Sequence, residues 1–175
     1  VLATNLPDGG PVSGLSKGFY SDRVIAHELV HATMGVAMNY SSIDVWFKEG
    51  AAEFIHGGDE RLESDISNQG SFAGVVSQDI TNWDGSSAHY SAGYTAVRYM
   101  NNLLNAAATN AQGTTGGIKE FMTYMYADTD TTFDAAVSHF FSSGGLVDGG
   151  GNDINVTTAD DFVTRFQANV SAIGD

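Results

Sequence analysis

The pentapeptide His27-Glu28-Leu29-Val30-His31, inside DRVIAHELVHATMG, constrains this chain more than any other stretch. On an α-helix, side chains four positions apart project from one face, so the two imidazoles can grip a single metal ion while Glu28 stands beside them to handle protons. Val24, Ile25, Leu29 and Val30 read as the apolar stripe of a buried helix, and Ser21 or Asp22 reads as its N-cap. The competing reading is a pair of ordinary histidines on a core helix. Two imidazoles and a carboxylate in an apolar segment would be costly there without a metal or polar partners.

A catalytic zinc needs a third protein ligand and an open position for water. Glu49 and Glu53 both lie in DVWFKEGAAEFI, where Asp44 can cap a second helix and the i, i+4 spacing puts both carboxylates on one face. Two carboxylates among Trp46, Phe47, Phe54 and Ile55 require something positive nearby. Glu49 is assigned to the metal, and Glu53 to accepting the outer N–H of a ligating histidine, which fixes the ring's tautomer and orientation. Gly50 and Ala51 read as small residues that let this helix approach the first one closely.

HExxH followed by W-x-x-E-G-x-A-E resembles the gluzincin zinc metallopeptidases, in which the glutamate of the E-G pair is the third ligand. Within that group, GFYSDRVIAHELVHATMG and WFKEGAAEFIHGGDERL are most similar to flagellinolysin, the metallopeptidase domain of some bacterial flagellins, related to collagenase-type peptidases. The similarity is concentrated in residues 18 to 62 and weaker over 87 to 104. His31 and Glu49 are closer in sequence than the corresponding ligands of collagenases proper, so collagenase specificity is not implied. The chain also lacks the heptad-rich terminal helices of a flagellin. The resemblance implies an extracellular protein, secreted or displayed on a flagellar filament that would assemble through regions outside this chain.

It also implies an oxyanion-stabilising Tyr or His on a later helix. SAHYSAGY offers His89, Tyr90 and Tyr94; Tyr90 is the first choice by its position in Y-x-x-x-Y-x-x-V-x-Y-M, and His89 the second. A packing role, with Tyr94, Val97 and Leu104 on one helical stripe, stands beside that reading. His56 and His139 lack motif context and read as surface or satisfied core residues.

Composition narrows the remaining classes. The chain has 175 residues, is 42% apolar and shows no internal boundary, which fits one domain with one core. Its net charge of −14 disfavours nucleic acid and anionic lipid as partners, because their phosphates would be repelled, and could modestly favour basic peptides. No apolar run of spanning length and no signal peptide is apparent, so a soluble chain is expected. With no cysteine, histidine and carboxylate are the strong metal ligands left.

The expected fold is mainly α, with α+β as the alternative through a small β element near the N-terminus. Helical patterns cover roughly 22–38, 44–57, 59–67, 71–80, 88–107, 115–127, 131–142 and 158–169. The first 20 residues hold both prolines, Pro7 and Pro11, and read as loop. Residues 142–155 form a Gly-rich connection, with Thr157 and Asp160 as a capping box for the last helix. In that connection Asp148, Asn152 and Asp153 could offer oxygen ligands to calcium, although the spacing matches no complete EF-hand loop and a simple turn is the stronger reading.

The function expected from these features is a zinc endopeptidase acting on protein or peptide substrates, with metal ligands His27, His31 and Glu49 and general base Glu28. The alternatives are a zinc hydrolase acting on another bond, and a non-enzymatic surface or filament domain that retains the motif. Retention of the base Glu28 speaks against the last.

Overall fold

A computed structural model of the chain describes residues 21–105, 116–142 and 154–170. The proposed N-terminal β element, the two prolines and the candidate calcium residues Asp148, Asn152 and Asp153 lie outside the described residues, whereas Ser21 and Asp22, expected as the N-cap of the first helix, stand within its first turn. Within them the fold is mainly α, with eight α-helices and no strand. They are α1 (Ser21–Ala37), α2 (Val45–His56), α3 (Asp59–Gln69), α4 (Phe72–Val76), α5 (Ser87–Asn105), α6 (Gly117–Ala127), α7 (Phe133–Phe141) and α8 (Ala159–Val170). A 3₁₀ turn, Tyr40–Ser42, joins α1 to α2. No described helix is long and apolar enough to cross a membrane.

α5 is the central helix, packed against α2, α3, α4, α6 and α8, while α1 packs on α2. Its buried stripe explains that position: Tyr94, Val97, Met100 and Leu104 recur at helical spacing and are all buried. α2 and α5 cross with their backbones in close approach at Gly50 and Gly93. A Cβ on Gly50 would stand 2.3 Å from the Gly93 carbonyl oxygen, so only glycine fits. Gly50 therefore admits α5, not α1 as its small size had implied.

Trp46 and Phe47, at the start of α2, anchor an aromatic cluster supplied by the C-terminal helices. Trp46 stacks on Phe162 of α8 with 6.0 Å between ring centroids, and Phe47 meets Phe133 of α7 at 4.7 Å and Phe121 of α6 at 5.5 Å. Burial of these large rings is the dominant stabilising term at this end of the molecule.

Several local expectations shift. Val30 and Met34 are buried on α1 and Met38 just beyond its end, but Ile25 and Leu29 are exposed, Leu29 at 60%. The buried face runs through His27, Val30, His31, Met34 and Met38, and Leu29 falls on the opposite side of the turn. α4 stops at Val76, well short of residue 80, because side chains capture the Gly74 carbonyl: Ser77 Oγ donates to it at 3.1 Å and Gln78 Nε2 at 2.9 Å. Asp44 is the N-cap of α2 by backbone position but makes no side-chain cap bond. At α8 the capping hydroxyl belongs to Thr158, which accepts from Asp161 N at 3.1 Å, and not to Thr157. Burial of Val156 and Ala159 sets that register.

Candidate metal centre

Two helices supply the site. α1 presents His27 and His31 one turn apart toward α2, and α2 returns Glu49 and Glu53 from its own i, i+4 face. Glu49 Oε2 lies 3.0 Å from His27 Nε2 and 3.2 Å from His31 Nε2, and the two Nε2 atoms are 3.1 Å apart. Three donor atoms from three side chains thus meet at nearly equal distances, and the group could hold a metal ion. Hydrogen bonding alone satisfies this triangle poorly. Each Nε2 carries at most one proton, and two protonated rings both directed at Glu49 would bring like charges together.

Behind His27, Glu53 is almost fully buried, at 1% exposure. Its Oε1 lies 3.3 Å from His27 Nδ1 and 3.1 Å from His56 Nε2, and its Oε2 accepts from Arg61 Nε at 3.0 Å. Burial works against its charge, yet His27, His56 and Arg61 outweigh that and hold the carboxyl at about 2. For His27 burial again opposes the charged form, and Glu49 and Glu53 overcome it, pushing the metal-free imidazole up to about 9. His31 differs: its Nδ1 is buried with no hydrogen-bond partner among the described residues.

The loop after α2 makes this arrangement possible. Gly57 closes the helix in the left-handed region, with φ +89°, and its N–H donates to the Glu53 carbonyl at 3.0 Å. α3 then starts at Asp59 and carries Arg61 back over the Glu53 carboxylate.

A cleft of about 250 Å³ opens beside His27, with Glu28, Tyr90, His56, Arg61 and Arg23 in its wall. Arg23 of α1 pairs with Glu60 of α3 there. The Tyr90 ring centroid is 6.3 Å from that of His27, and the Arg61 guanidinium lies 4.8 Å from the Tyr90 centroid. Burial and the carboxylates of Glu49, Glu53 and Glu28 raise the Tyr90 phenol above its ordinary value, with Arg61 pulling back, so its hydroxyl stays a proton donor near neutrality.

The other two oxyanion candidates point elsewhere. His89 is buried against Trp83, its Nδ1 accepting from the Asp84 N–H at 3.1 Å. Tyr94 donates to Asp59 Oδ1 at 2.6 Å. Of the three, Tyr90 alone lines the cleft. His139 lies away from this cleft, its ring stacked on that of Tyr124 with 4.1 Å between centroids.

Three residues near the centre carry no motif. His56, read from sequence as an ordinary histidine, belongs to a second close group with His27 and Glu53. Arg61 could have been found from charge alone: with seven Lys and Arg in the chain, a cation eight residues after a carboxylate on an apolar helix is a candidate partner. Tyr40, between α1 and α2, lies close enough to Glu49 and Glu28 for both to add to burial in raising its phenol. No protein-family model, curated protein or solved structure matches the chain.

Proposed function

We propose that this chain is a zinc-dependent endopeptidase of the gluzincin type, with His27, His31 and Glu49 as the metal ligands. The observation that carries this reading is the triangle of three donor atoms at 3.0–3.2 Å, one of whose members, His27, also lines a cleft with Glu28 and Tyr90. Donor atoms from three side chains, 3.0–3.2 Å apart, are a set that would suit one small ion such as zinc. Two imidazoles and one carboxylate leave a fourth position for water, the composition of a catalytic rather than a structural site. His27, His31 and Glu49 would hold the zinc, which when bound would supply an acidified water and an electrophile for the scissile carbonyl.

The protein residues do the rest. Glu28 projects into the cleft from the ligand-bearing helix; it takes the attacking water's proton and later delivers it to the leaving amine. Tyr90 donates its hydroxyl proton in a hydrogen bond to the oxygen where negative charge develops. Glu53 orients His27 from behind by accepting at Nδ1. The similarity to flagellinolysin extends the proposal to an extracellular protein, secreted or displayed on a bacterial filament, with protein or peptide substrates.

The test is digestion of a peptide library by the zinc-loaded protein, by the chelated protein and by Glu28→Gln. Cleavage at internal bonds is expected only from the zinc-loaded wild type. Glu28→Gln should keep zinc and fold while losing activity by several orders of magnitude. Cleavage that persists in the chelated protein or in Glu28→Gln would refute the mechanism.

A further inference from the structure

Glu53 presents an unusual problem for a helix buried on this face. A carboxylate at 1% exposure is tolerated only when its charge and lone pairs are met, and one imidazole N–H cannot meet them all. Its two oxygens face three residues: His27 from α1, His56 from the end of α2, and Arg61 from α3. Arg61 spans both oxygens, reaching Oε2 through Nε at 3.0 Å and Oε1 through Nη2 at 3.4 Å, a fork across the carboxylate. The guanidinium is itself held on a second side, 4.8 Å from the Tyr90 ring centroid. Its side chain is largely buried.

The group His27, Glu53 and His56 also has the spacing of a metal site. Arg61 already supplies a cation 3.0 Å from Glu53, the charge that a second ion would otherwise provide. The cluster is therefore a support for the metal centre, built on a fixed side-chain cation.

We propose that Arg61 is a positioning residue for the metal centre: by forking across Glu53 it fixes the carboxylate as acceptor for His27 Nδ1, and so sets the orientation in which His27 presents Nε2 to the metal. This rests on the reading of His27, His31 and Glu49 as zinc ligands. Arg61 acts through Glu53, and that dependence separates it from a residue that merely helps α3 to pack.

The experiment is a set of zinc dissociation constants, from competition with a chromophoric chelator, for the wild-type chain, Arg61→Gln, Arg61→Lys, Glu53→Gln and the double variant Glu53→Gln/Arg61→Gln. Far-UV circular dichroism of each metal-free protein reports the fold. Arg61→Gln should weaken zinc by about 10- to 100-fold, the scale for residues that orient a ligand. Arg61→Lys, which keeps the charge without the planar fork, should recover part of that loss. In the Glu53→Gln background the same Arg61→Gln change should alter affinity by less than about 2-fold, because the intermediary is gone. Should Arg61→Gln fail to fold, Arg61→Lys is compared in the two backgrounds, with a loss expected only where Glu53 is present. Unchanged zinc affinity in a folded Arg61 variant overturns the proposal, as does an equal loss with and without Glu53. If the wild type itself holds no zinc, the metal reading fails instead.

Discussion

α2 joins two regions with opposite chemistry. Its first turn is embedded in rings, with Trp46 against Phe162 and Phe133 and Phe47 against Phe121 and Phe133. Its later turns carry Glu49, Glu53 and His56, met by His27, His31 and Arg61. The aromatic end gains its stability from apolar burial, which is insensitive to pH and metal. The charged end concentrates buried ionisable groups, whose mutual attraction offsets a desolvation cost without a large net gain. Apolar stability and the proposed chemistry thus fall at opposite ends of one helix, and the lesson is that they should respond separately to mutation.

The largest effect expected on that separation comes from the aromatic end. Phe162 is fully buried and stacked on Trp46, so Phe162→Ala should cost about 3–5 kcal/mol in urea unfolding. The fraction that remains folded should still bind zinc with wild-type stoichiometry. Loss of zinc from that folded fraction would show that the two ends are coupled and would break the comparison.

At the charged end, Tyr90→Phe removes a hydroxyl from the cleft while keeping the ring beside His27 and Arg61. Steady-state proteolysis should show kcat reduced by about 10²- to 10³-fold with KM and zinc content little changed, and thermal stability nearly intact. An unaffected kcat would return Tyr90 to packing and direct attention to Tyr40 on the other flank.

A smaller effect follows from pH. In the metal-free protein the carboxylates of Glu49 and Glu53 raise His27 from 6.5 to about 9, against the opposing effect of burial. A raised folded-state pKa contributes stability that is complete below about 6.5 and is lost as pH climbs through about 9. Zinc requires the neutral ring, so the sign reverses for its binding. The Tm of chelated protein should therefore fall between pH 6.5 and 9, while the gain in Tm on adding zinc widens over the same window. Parallel pH profiles with and without zinc would mean that His27 does not hold the metal.

Much of this was legible in the sequence, for reasons that differ by residue. Periodicity placed the eight helices of the described residues, since an apolar stripe reports a helix whatever it packs on. The i, i+4 spacings of His27 with His31 and of Glu49 with Glu53 are local, and the structure brings all four together as the spacing implied. What could not be read is tertiary. Leu29 looks like core by composition but faces away from α2, and Gly50 announces a close approach without naming α5 as the partner. His56 stands three residues after Glu53 on α2, a local spacing open to reading, whereas Arg61, a candidate by charge, is carried to Glu53 only by the reversal at Gly57.

The central claim is that His27, His31 and Glu49 hold a catalytic zinc. Its most direct test is a crystal structure of the zinc-loaded chain with anomalous data at the zinc absorption edge. The account predicts one peak per chain, about 2.0–2.2 Å from His27 Nε2, His31 Nε2 and a Glu49 carboxylate oxygen, with a fourth position facing the cleft. A peak lying instead among His27 Nδ1, Glu53 and His56, or no peak at either group, would contradict it.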